Sequence, residues 1–146
     1  MYNFLLILHS VLRWVIILLL VVNILRFLSA TVTNKVALSK WLLIAAHTTL
    51  LIGLYQYFAG GSGFALIQQY GMGEAMKDSA KRFWAVEHIT GMIISIALIT
   101  VGHISLKKSG NSKRSAILYI LALAIILATV PWPFREGIGR PWLPGM

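Results

Sequence analysis

Residues 82–103 read RFWAVEHITGMIISIALITVGH. From Ile89 to Gly102 the segment carries no charge, and with its flanks it approaches the roughly 20 residues that a bilayer core requires of a helix. It opens on Glu87 and His88, side by side. Ionisable groups in hydrocarbon cost several kcal/mol and are rarely there without a partner or a task. The segment therefore predicts a transmembrane helix that carries part of a site.

The rest of the chain has the same character. Of its 146 residues, 58% are apolar and 12% charged, against roughly 25% charged in ordinary globular proteins, and the mean hydropathy is +0.80. One domain of this size cannot hide so much apolar surface from water, so its solvent is expected to be a lipid bilayer. Beside the span Phe83–Ile104, three further stretches are long enough to cross: Phe4–Leu28, Trp41–Ala59 and Ser115–Trp132. Short connections join them. The expected fold is all-α, an integral membrane four-helix bundle running up-down-up-down. Trp41, Trp84, Trp132 and Trp142 fall at the span ends, where amphipathic rings prefer to sit. The first stretch lacks a basic leader and its apolar run is too long for a signal peptide, so it reads as a retained span.

Residues 60–82 are the one long connection. There GGSG breaks the second helix, FALIQQY reads as a short interfacial segment, and EAMKDSAKR leads into the third helix. Asp78 or Ser79 is placed to cap that helix, or it starts as early as Glu74. The motif PWPF ends the fourth helix, because Pro131 and Pro133 cannot continue it. Residues 133–146 read as an aromatic, basic surface tail.

The net charge is +9, but the positive residues lie in short loops beside apolar spans. That pattern orients a membrane protein and calls for no nucleic acid. The loops opposite the N-terminus hold Arg26, Lys35, Lys40, Lys107, Lys108, Lys113 and Arg114 without an acid. The N-terminal side holds Lys77, Lys81, Arg82, Arg135 and Arg140, diluted by Glu74, Asp78 and Glu136. The bias predicts a multi-pass protein of the inner (cytoplasmic) membrane with both termini periplasmic.

The chain has no cysteine, which excludes disulfides, iron–sulfur clusters, thiolate zinc sites and covalently attached haem. It has four histidines, and they sort by depth. His9 and His88 each lie about one turn in from the N-terminal side. His47 and His103 lie toward the other side. Two imidazoles from facing helices are the axial ligands of a b-type haem, and bundle cores are where such sites are built. His88 and His103, fifteen residues apart, are separated by about 22 Å of rise and about 60° of rotation. One helix could serve two stacked haems.

Arg13 follows His9 by four residues and shares its face, which continues through Ile16 and Leu20 to Asn23. A buried guanidinium demands an anion, and Glu87 or a haem propionate would supply it. Gly91 and Gly102 would admit a flat macrocycle or another helix. Each feature also has a plainer reading. Histidines near helix ends reach water or a carbonyl, Arg13–Glu87 can be a clamp between helices, and the glycines can serve helix packing. Zinc or copper finds no third ligand beside either pair apart from Glu87. Ser10 beside His9 is no nucleophile elbow.

The segments LHSVLRW, AHTTLLIGLYQYF, MKDSAKRFWAVEH, ITVGH and PWPF with its following RPW resemble a family of short four-helix bacterial membrane proteins commonly labelled "cytochrome B". The resemblance covers nearly the whole chain. It implies a haem b protein in electron transfer, with His9 and His88 as a first axial pair and His47 and His103 as a second. The pattern departs from respiratory cytochrome b, in which two helices each carry two histidines. Here the third helix alone carries two, and the second pair would join adjacent helices.

The leading expectation is thus a membrane cytochrome with one or two b haems, relaying electrons between a quinone and a partner protein or respiratory complex. It is an electron-transfer protein rather than a self-contained enzyme, and one that homo-oligomers would also suit. The alternative is a haem-free accessory or assembly subunit of a larger complex, with the His, Arg and Glu residues forming an interhelical polar network. A quinone- or lipid-binding module is a third reading.

Overall fold

The computed structural model describes residues 1–143; positions 144–146 of the expected tail lie outside the described residues. The chain is all-helical there, with no strand. In order it forms α1 (Tyr2–Leu28), α2 (Val36–Ala59), α3 (Phe64–Lys77), α4 (Ser79–Arg82), a π-helical turn (Phe83–Glu87), α5 (His88–Ser109) and α6 (Ser112–Thr129). From Ser79 to Ser109 the chain is one continuous helix. Together with α1, α2 and α6 it makes four helices long and apolar enough to cross a membrane.

Caps set the boundaries, and they move several of them from where hydropathy alone places them. The second long helix begins at Val36 rather than Trp41, with Lys35 at its cap position and Asn34 Oδ1 just before it accepting the Ala37 N–H at 3.3 Å. The third extends to Ser109, where Gly110 takes the left-handed conformation (φ +67°) that a helix C-terminus favours. Asn111 then caps α6 by accepting the Arg114 N–H at 3.0 Å, so that helix starts at Ser112 and not Ser115. It stops at Thr129 and not Trp132, since Val130 is extended and Pro131 has no N–H to offer.

The connection after α2 differs most. FALIQQYGMGEAMK is a helix of its own, α3, kinked at Gly71 where φ is +80°. Asp78 is extended, and its Oδ1 accepts the Lys81 N–H at 2.9 Å. The third span therefore starts at Ser79 and not at Glu74, with Asp78 as its cap.

The four long helices form a ring. α1 packs on α2 and α6, and α5 packs on the same two, so α1 and α5 face each other across the middle. At the end bearing the turn between α5 and α6 the core is closed: Leu20, Leu42, Ile99 and Tyr119 have no exposed surface, and the Phe27 and Tyr119 rings lie 5.0 Å apart. Several polar groups in this half pair with each other, while Asn23 Oδ1 and Arg26 Nε are buried without a partner. Ser39 Oγ hydrogen-bonds both His103 Nδ1 and Tyr119 OH at 2.7 Å, and Ser115 Oγ donates to the Gly102 carbonyl at 2.7 Å. Gly91 and Gly102 serve helix packing. A Cβ on Gly91 would strike the Thr129 side chain, and one on Gly102 would strike the Tyr119 ring. The other half of the bundle is hollow.

Candidate functional site

The hollow half holds a cavity of about 520 Å³ whose walls include His9, Arg13, Gly53, Trp84, His88 and Arg140. Close packing is the norm inside proteins, and an opening of this size falls in the range of sites for cofactor-sized ligands. The remaining wall is mostly aliphatic, with Ile16, Ile96, Ile99 and Ile126 at its closed end.

His9 from α1 and His88 from α5 both line it and lie edge to face. Their ring centres are 6.5 Å apart with planes at 66°. A metal–nitrogen bond of about 2 Å on each side would put the ring centres of a bis-imidazole site about 6 Å apart. His88 is held by its Nδ1–H, which donates to the Thr129 carbonyl at 2.8 Å. That bond fixes the tautomer and leaves Nε2 as the free lone pair, the arrangement in which a backbone carbonyl orients a metal-binding imidazole. His9 is set by contact. A Cβ on Gly53 would come within 3.1 Å of His9 Cε1, so any side chain at that position on α2 would press the ring aside by a few tenths of an ångström. His9 Nδ1 is buried without a hydrogen-bond partner.

Local sequence explains why a carbonyl waits for His88. The N–H groups that would bond Leu127 and Thr129 in a continuing helix belong to positions 131 and 133, both proline. The orphaned carbonyls are taken by side chains. Trp132 Nε1 donates to Leu127 at 2.7 Å and His88 to Thr129, while Arg135 Nη1 donates to Ala128 at 3.0 Å. On the facing side, the π turn adds one residue to the helix, and the His88 N–H bonds the Phe83 carbonyl five residues back. Phe83 and Trp84 then both flank the His88 ring, each 5.9 Å from it centre to centre.

Two expectations are corrected. Glu87 does not balance Arg13; the π turn carries it to Arg82, whose Nε lies 2.7 Å from its Oε1, and both side chains are more than a third exposed. Arg13 instead donates from Nη2 to the Trp142 carbonyl at 2.7 Å, beside Trp14 Nε1 at 3.0 Å, which straps the tail onto α1. Nor are His47 and His103 assembled as a pair. The buried stripe of α2 is Ser39, Leu42, Ala46 and Thr49. His47 is about 100° off Ala46 and exposed, its Nδ1–H returned to the Leu43 carbonyl at 2.9 Å. His103 is buried in the Ser39–Tyr119 network.

Among the described residues no three or more His, Asp and Glu side chains converge, so a metal in the cavity would find two imidazoles from the protein. Residues not singled out from the sequence are Gly53, Thr129, Arg140 and the Trp142 carbonyl. The spaced prolines of PWPF were the signal for Thr129. No family model, no curated protein and no solved structure matches this chain.

Proposed function

We propose that the chain is a multi-pass membrane protein in which His9 and His88 hold one haem b, and that it relays single electrons between a quinone and a partner protein. The observation that carries the reading is the His9–His88 pair, 6.5 Å between ring centres and lining a cavity of about 520 Å³. A haem bound there would supply one-electron chemistry at the iron.

The chain's own residues do the rest. Thr129 orients His88 through its carbonyl, Gly53 leaves room for His9, and Ile16, Ile96, Ile99 and Ile126 give the cavity an apolar floor. The label of the resembling family agrees with this ligand. His47 and His103 are left out, so the reading is one haem per chain.

Insertion in a bilayer is supported by the exterior. Leu18, Leu25, Leu51 and Ile117 are each more than half exposed on the spans, where hydrocarbon is the solvent that suits them. An up-down-up-down order is supported by which ends meet: Gly53 lies beside His9, Asn23 Nδ2 donates to the Leu38 carbonyl, and Ser115 to Gly102. The acid-free basic loops support an orientation with both termini periplasmic in an inner membrane.

The test is a reduced-minus-oxidised visible spectrum of the purified protein, with haem quantified against protein. The expected result is the sharp reduced bands of a bis-histidine haem at one haem per chain. A colourless protein from haem-replete cells would overturn the reading and favour an accessory subunit.

A further inference from the structure

Among the described residues, the cavity receives two guanidinium groups and no acid. Arg13 reaches it from α1 and Arg140 from the tail. The tail backbone places Arg140, whose N–H donates to the Pro131 carbonyl at 3.0 Å. Its guanidinium lies 5.0 Å over the ring of Trp84, which itself flanks His88. Arg13 gives one donor to the Trp142 carbonyl, and its Nε is buried without a partner.

Three of the chain's four acids are committed elsewhere. Glu74, Asp78 and Glu87 pair with Lys77, Lys81 and Arg82, and none of the four acidic residues lines the cavity. A carbonyl dipole and an aromatic face ease a cation but do not neutralise it. Two guanidiniums at the mouth of an apolar cavity call for an anion with a planar, two-oxygen group, which the fork of donors on arginine matches.

We propose that Arg13 and Arg140 form a carboxylate-binding subsite at the tail-covered end of the cavity. This rests on the haem reading and sharpens it: the two guanidiniums receive the two propionates, and a neutral quinone is not the resident ligand. Arg140, on the tail rather than on a span, is a specificity-determining residue.

The experiment titrates hemin and hemin dimethyl ester, which lacks the two negative charges, into the haem-free protein in nanodiscs. The wild type is expected to bind hemin at least about tenfold more tightly than the ester. Arg140→Gln should weaken hemin about tenfold and leave ester binding unchanged, and Arg140→Lys should restore part of the loss. Arg140 is exposed, so these substitutions leave the fold intact; Arg13→Gln provides a second variant from a different element. Equal binding of hemin and ester by the wild type overturns the subsite and leaves the haem reading standing. Binding of neither overturns both.

Discussion

The Nδ1–H of His88 ends on the backbone carbonyl of Thr129, 2.8 Å away and forty-one positions along the chain. One bond thus ties the first turn of α5 to the last turn of α6. It also sets which nitrogen of His88 is left to bind. The carbonyl is free because Pro133 stands where its helical donor would be.

On the proposed haem reading, His88→Ala should lower the haem content of the purified protein by at least about tenfold, since an axial ligand would be lost. His47→Ala should leave it unchanged, because His47 is exposed and bonded to its own helix. Haem-to-protein ratios of the two variants decide the matter, and wild-type haem in His88→Ala would remove that residue as a ligand.

Gly53→Val should displace the His9 ring, with which even a Cβ comes to 3.1 Å. The expected outcome is at least a tenfold loss of hemin affinity, on the order of an orienting contact, with helical content by circular dichroism unchanged. Gly61→Val is the control, as nothing lies within 4 Å of a Cβ there.

Double-mutant cycles should find Glu87 coupled to Arg82 and not to Arg13. The Arg82–Glu87 pair is more than a third exposed on both sides, so its coupling is expected at about 1 kcal/mol or less. Arg13→Leu with Glu87→Leu should be additive within about 0.5 kcal/mol. A larger coupling between Arg13 and Glu87 in unfolding measurements would contradict the observed pairing.

Asp78 should contribute a pH-dependent share of stability. The Lys81 N–H and side chain hold its carboxylate below the ordinary range, so the folded state favours the ionised form. That contribution is fully present above the unfolded carboxylate value and is lost as pH falls through the lower folded one. The wild type should therefore melt above Asp78→Asn at neutral pH, and the gap should close in acid. A gap that stays constant with pH would rule out the charged cap.

What the sequence disclosed, and what it withheld, follows from the kind of information each feature needs. Spans are a matter of composition, and the apolar runs located all four helices to within a few residues. The inward face of α1 was legible because Ile16, Leu20 and Asn23 keep helical spacing, and all three are buried. Depth along a span placed His9 level with His88, but depth says nothing about rotation, and rotation is what sends His47 outward. The π turn escaped notice because it leaves no apolar signature while shifting every later residue by about 100°, which detached Glu87 from Arg13. Arg140 and Trp142 were out of reach for a different reason. Their contacts run to Trp84 and to Arg13, more than a hundred positions back in the case of Arg13, and no local pattern encodes a fold-back of that length.

The tail also gives assembly a direction. Pro131, Arg140 and Pro141 form one wall of the cavity, and the Trp142 carbonyl pins that wall to Arg13 and Trp14. Both histidines and all four spans precede this segment, so they have been synthesised before the wall exists. The wall that closes the site is thus the last part of the described chain to be made, and the cavity has all its sides only once residues 130–142 lie back over α1.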